Sequence, residues 1–117
     1  MMPLSFAWTE DAFLANRKTR TRREWKDSYA KKFRVGDKCQ AWDKQARFGG
    51  RRIGIIVIKA IFKQHISKMP DEDYEKEGFA FMEENGIKIW GKNPRQAFED
   101  WRKDDYTPWV VDFERIE

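Results

Sequence analysis

A chain of 117 residues with 40% hydrophobic side chains, among them six Trp, nine Phe and three Tyr, carries enough apolar surface to fold as one domain, 1–117, despite 38% charged residues. One Cys and one His rule out an internal disulfide and leave too few parts for a closed zinc site or a Ser-His-Asp or Cys-His site. No cofactor and no metal is therefore expected, and any chemistry falls to Lys, Thr, Tyr and carboxylates. The net charge of +4 conceals an asymmetry: nine basic and two acidic residues between Asn16 and Arg34 put +7 on that segment and −3 on the rest. Such a localised patch points to an anionic partner, with phosphate first, or else to a solvated helix face. No run is apolar enough to span a bilayer and the start lacks a signal pattern, so a reducing cytoplasmic setting and no membrane are expected.

In chain order, Pro3 to Ala7 alternates like a short half-buried strand. Thr9 is placed to cap a short helix, with Glu10 and Asp11 in its first turn and Phe13 and Leu14 on its apolar face. Asn16 suits the stop, because Asn tolerates the left-handed conformation. The basic stretch Arg17 to Glu24 follows, with five cations and two hydroxyls in eight residues. Thr21-Arg22-Arg23-Glu24 fits a capping box, which predicts a helix carrying Trp25, Tyr29 and Phe33 on one face. A helix start also binds anions, so Thr21 is open to both a capping and a site role.

Val35-Gly36-Asp37 reads as a turn into a strand, Lys38 to Trp42. The loop Lys44 to Arg52 sets Lys44, Arg47, Arg51 and Arg52 around Phe48 and Gly49-Gly50, a pattern that fits a nucleic-acid flap or an ordinary basic hairpin loop. Ile53 to Ile66 is the longest strand candidate; its run to Phe62 is β-branched on both faces and reads as a central strand, with Gly54 at a bend. Pro70 opens a helix expected to run to about Glu84, and Asn85-Gly86 breaks it. A second helix is predicted from Pro94 to about Lys103, and Trp109 to Ile116 alternates as a closing strand.

Asn16-Arg17-Lys18-Thr19-Arg20-Thr21-Arg22-Arg23 resembles the Gly-x-Lys-Thr-x-Thr-x-Arg signature of the ASCH (activating signal cointegrator homology) domain. Phe33 to Asp37, Glu75 to Phe79 and Trp109 to Glu114 resemble further pieces of that family in its order. The resemblance implies an α+β, PUA-like fold: a small β-barrel with peripheral helices forming a basic cleft between the Lys-Thr-x-Thr-x-Arg segment and the Glu-Gly-Phe helix. It implies a module binding RNA, another nucleic acid or a modified nucleotide, or a hydrolase in the same cleft. The hydrolase would release acetate from N4-acetylcytidine, or cut RNA without a metal. Carried over by motif position, the catalytic residues would be Lys18, Thr21 and Glu77. Arg17, Arg20, Arg22 and Arg23, with Lys44, Arg47, Arg51 and Arg52, are the candidate phosphate contacts; Trp25, Phe48, Trp90 and Trp109 are the candidate stacking aromatics. Asn16 stands where the signature has Gly, and Arg20 and Arg22 occupy positions that are apolar in the amidohydrolase subgroup; the added cations favour a larger, phosphate-bearing ligand. A protein-interaction adaptor is the third class, disfavoured by the concentration of charge on the motif.

Overall fold

The β-branched run is the twelve-residue strand β4, Arg52–Lys63, long enough to pair with a different neighbour at each end. The computed structural model describes the backbone of all 117 residues and the side chains of all but Ala46. β1 (Met2–Ser5), β2 (Arg20–Arg23), β3 (Lys38–Trp42) and β5 (Trp109–Arg115) complete a five-stranded sheet of order β1-β3-β4-β5-β2. Only β1 and β3 run parallel; the other pairs are antiparallel. Register shifts at Ala41/Trp42 and at Ile58/Ala60 bend the long strand, and the sheet curls into a half-barrel. Gly54 lies opposite the first shift. A Cβ there would stand 2.4 Å from the Glu117 carbonyl oxygen, so glycine is what lets the C-terminal backbone dock on β4.

Five short helices accompany the sheet: α1 (Glu10–Leu14), α2 (Asp27–Ala30), α3 (Asp73–Lys76), α4 (Phe79–Glu84) and α5 (Pro94–Arg102). Among the described residues, no helix is long and apolar enough to cross a membrane. Phe6, Phe13, Phe33, Ile56, Ile58, Val111 and Phe113 fill the concave side of the sheet. Ile66, Met69, Tyr74, Phe79, Met82, Ala97 and Phe98 form a second core among α3, α4 and α5. Pro94 opens α5 as expected, with the Asn93 side chain capping Gln96 N–H.

Four local expectations change. Thr21 does not begin a helix; Arg20 to Arg23 is β2, paired with Asp112 to Trp109 of β5. The open edge of β5 and the carboxylates facing Arg20 and Arg22 outweigh a capping pattern of four residues. Helix α2 is one turn beginning at Asp27, yet Trp25 still stacks on Phe33 at 4.4 Å and packs against Tyr29 at 5.3 Å. Thr9 makes no side-chain cap; its hydroxyl donates to the Phe6 carbonyl, and Leu14 is exposed. The helix expected over Pro70 to Glu84 is divided into α3 and α4 at Gly78, whose φ is +96°. Asn16, at φ +60°, ends α1 as read.

Candidate functional site

The loop between α1 and β2 is tied down before its side chains are considered. The Arg17 and Lys18 amides donate to the Ala12 carbonyl, and the Thr19 amide donates to the Lys76 carbonyl of α3. Gly78 makes this approach possible: a Cβ on it would meet the Ala12 Cβ at 2.9 Å and the Lys18 Cβ at 3.7 Å. With glycine in the left-handed region, the chain turns at once after Glu77 and sets its carboxylate against Lys18.

Lys18 Nζ donates to the Glu77 carbonyl at 2.9 Å and to Glu77 Oε1 at 3.0 Å, and both side chains are buried. The second Glu77 oxygen accepts from Arg22 Nη1 at 2.6 Å. Arg22 reaches Asp73 at 2.5 Å and Gln64 Oε1 at 2.8 Å. Arg20 donates to Asp73 at 3.0 Å and holds Asp112, its cross-strand partner, at 2.5 and 2.9 Å. Alternating charges thus run Lys18–Glu77–Arg22–Asp73–Arg20–Asp112 through the interior. Close geometry is what allows buried ions to offset their desolvation; every link here is 2.5–3.0 Å long, although Arg22 Nε is buried without a partner. Burial pushes the Lys18 ammonium below its usual lysine range, against the opposing pull of Glu77.

Strand alternation separates the cations of β2. Arg20 and Arg22 share the face that meets Asp73; Thr21 and Arg23 share the opposite one, where Arg23 Nε donates to Thr21 Oγ1 at 3.2 Å. Among the described residues Arg23 bonds only neutral partners, its Nη2 donating to the Ser5 carbonyl at 2.7 Å. Its guanidinium lies over the Phe6 ring at 5.4 Å, and burial lowers its pKa to about 10, which leaves it charged at neutral pH.

An open cavity of about 340 Å³ lies beside this network. Lys18, Thr21, Arg22, Arg23 and Glu77 give it a polar lining; Trp8, Trp90, Trp101 and Tyr106 give it an aromatic one. The aromatic wall is continuous, with edge-to-face contacts at Trp90. Trp90 meets Trp8 at 5.8 Å and Trp101 at 6.4 Å, while Trp101 stacks on Phe79 of the second core at 5.8 Å. Trp8 and Trp90 are half exposed. Trp90 has φ +53°, and Ala7, just before Trp8, has φ +38°. Side chains rarely adopt such backbone, and strain of this kind collects at binding sites.

The motif residues therefore separate. Lys18, Thr21 and Glu77 come together with Arg23 at one cavity, and Trp90 faces them. Arg17 turns away and clamps Glu75 and Glu84. Arg20 lies on the far side of the network from Thr21, and Arg22 is held by three partners. Trp25 and Arg47 line a different cavity; Phe48 is exposed beneath the Arg47 guanidinium; Lys44, Arg51 and Arg52 are exposed, with Arg51 3.4 Å from Asp43. Trp109 is engaged by Asp27 and Lys63. Trp8, Trp101 and Tyr106 were not singled out by their local sequence as site residues. Nothing periodic marks Trp8, and Trp101 falls inside the helix predicted from Pro94 to about Lys103.

A comparison with protein-family models gives no match, and a comparison with curated proteins gives none. Solved structures do match. A protein of Enterococcus faecalis described under the family model DUF984 superposes with a TM-score of 0.62 at 15% identity, over 99% of this chain and 81% of that one. The ASCH protein of Zymomonas mobilis gives 0.59 at 12% identity, over 96% of this chain and 65% of that one. The ASCH domain of Lactobacillus crispatus gives 0.59 at 15% identity, over 97% and 78%. The chain has the ASCH-domain fold. On that fold the Lys18–Glu77 pair falls between the α1–β2 loop and the α3–α4 junction, at the foot of the ASCH half-barrel.

Proposed function

We propose that the cavity of about 340 Å³ binds a nucleotide, free or within single-stranded RNA, with the base against Trp90 and Trp8 and the phosphate on Arg23. The observation that carries this reading is that one cavity is lined both by a tryptophan wall and by a half-buried guanidinium bonded only to neutral groups. A base needs an aromatic plane and a phosphate needs a cation whose charge is not already neutralised; both line one cavity. Its volume also falls within the range of roughly 300–1,000 Å³ common for small-ligand sites. The test is quenching of tryptophan fluorescence by cytidine monophosphate. The reading expects saturable quenching that Trp90→Ala and Arg23→Ala each weaken; quenching unchanged by both variants would refute it.

A second reading, hydrolysis of N4-acetylcytidine, is favoured by the Lys18–Glu77 contact at 3.0 Å inside the same cavity. Water would add to the acetyl carbonyl, its proton passing to Glu77. Lys18, partly relieved of charge by burial or acting as an ammonium, would take up the proton or steady the oxyanion. Thr21 would position the water. The C–N bond then breaks, N4 takes the proton back, and cytidine and acetate leave. Turnover abolished by Lys18→Ala and Glu77→Ala would establish this reading, and absence of turnover in the wild type would end it. A nuclease assay on unmodified RNA covers the remaining hydrolase.

A further inference from the structure

A second, larger cavity of about 510 Å³ adjoins the Ser5–Arg23 contact. The two cavities have Ser5 and Arg23 in common. Trp25, Tyr29, Trp42, Gln40, Gln45 and Arg47 give the larger one its character. We infer that it is a second nucleotide subsite, so that the ligand is a single-stranded oligonucleotide crossing the gap between the edge strands with one linking phosphate on Arg23. This inference rests on the nucleotide reading of the smaller cavity.

Four observations carry it. Trp25 is held flat against Phe33, the ring planes 9° apart at 4.4 Å. A ring fixed in that way loses little freedom when a base stacks on it. Trp42 Nε1 donates to Gln40 Oε1 at 3.2 Å, which occupies the amide oxygen and leaves the –NH2 as the donor for a base-edge acceptor. Arg47, exposed on the same loop as Lys44 and Arg51, adds positive charge to the cavity lining, where a further phosphate would be met. Finally, Arg23 is the one motif cation on both cavity walls, in the place a linker phosphate would occupy between two bases. An aromatic pocket, a cationic junction and a second aromatic pocket in sequence follow the repeat of a single strand, base–phosphate–base.

The experiment compares cytidine monophosphate with the 5′-phosphorylated dinucleotide pCpC by calorimetry, on wild type, Arg47→Glu and Trp25→Leu, and follows the indole N–H signals by 15N NMR. In the wild type the dinucleotide is expected to bind roughly tenfold tighter or more, the range that one stacked base supplies. The ratio of the two affinities should fall toward one in both variants, and using the ratio cancels any general loss of folded protein. The Trp25 and Trp42 indole signals should shift with pCpC and stay in place with the mononucleotide. Mononucleotide binding with no gain for the dinucleotide, or a gain that survives in both variants, would overturn the second subsite while leaving the first. Failure of both ligands to bind would overturn the two together.

Discussion

Arg23 and Ser5 meet across the opening of the half-barrel: Nη2 of one, at the end of β2, donates to the backbone carbonyl of the other, at the end of β1, at 2.7 Å. These strands are the two edges of the sheet, so a side chain spans a gap that no strand pairing closes. The same guanidinium faces both cavities. Arg23→Ala is therefore expected to lower stability and ligand affinity together. A hydrogen bond to a charged group contributes about 1.5–3 kcal/mol, so urea unfolding should register a loss of that order. Arg23→Lys, which retains the charge without the planar fork, should recover part of the salt dependence of RNA binding but not the full affinity.

Glu77 holds Lys18 with one carboxylate oxygen and Arg22 with the other. Removing it leaves the buried Lys18 uncompensated and Arg22 with Asp73 as its remaining carboxylate. Glu77→Ala is expected to cost about 3–5 kcal/mol, the scale seen when one partner of a buried pair is lost. Thermal unfolding measures this. A drop no larger than that of an exposed acid, such as Glu114→Ala, would show that the network is not a structural keystone.

Gly78 is a sharper probe, because its replacement alters geometry before chemistry. At φ +96°, with a Cβ only 2.9 Å from that of Ala12, Gly78→Ala combines backbone strain with a clash. Each such strained residue costs on the order of 1–3 kcal/mol. The α3–α4 junction should shift, moving Glu77 from Lys18, and ligand affinity should fall along with Tm. Unchanged Tm and affinity would mean that the close approach does not position the site.

Lys18 titrates below the ordinary lysine value of 10.5 because burial disfavours its charged form. Between that depressed value and 10.5 the unfolded chain binds more protons than the folded one, so this group makes stability rise with pH across the window. Below the window its contribution is flat. The stability of wild type relative to Lys18→Met should therefore increase as pH approaches 10.5. A pH-independent difference between the two unfolding free energies would contradict the assignment.

Much of the fold was legible because it rests on long-range patterning. The β-branched run Ile53–Phe62, the Pro94 helix start and the alternating Trp109–Ile116 segment all became the elements their spacing predicted. Local signals carried less weight. Thr21 has the right neighbours for a helix cap, but pairing with Val111 of β5 places it in a strand. The motif marked Lys18, Thr21, Arg23 and Glu77, and these do converge on one cavity. It could not separate Arg23 from Arg17, Arg20 and Arg22, since the carboxylates that neutralise those three lie at least 51 residues away in the chain or on the closing strand. Trp8 escaped notice for a related reason: its place in the wall depends on the unusual backbone at Ala7 and on Trp90, far along the chain.

The central claim is that a nucleotide sits between the tryptophan wall and Arg23. The most direct test is equilibrium binding of a fluorescein-labelled single-stranded hexaribonucleotide to wild type, Trp90→Ala and Arg23→Ala across a range of salt concentrations. Affinity for the wild type should fall as salt rises, and Arg23→Ala should flatten the log–log slope by about 0.7, the share of one phosphate contact on a single strand. Trp90→Ala should weaken binding by about 1–3 kcal/mol with the slope retained. Binding that neither variant changes, or no binding at low salt, would contradict the claim.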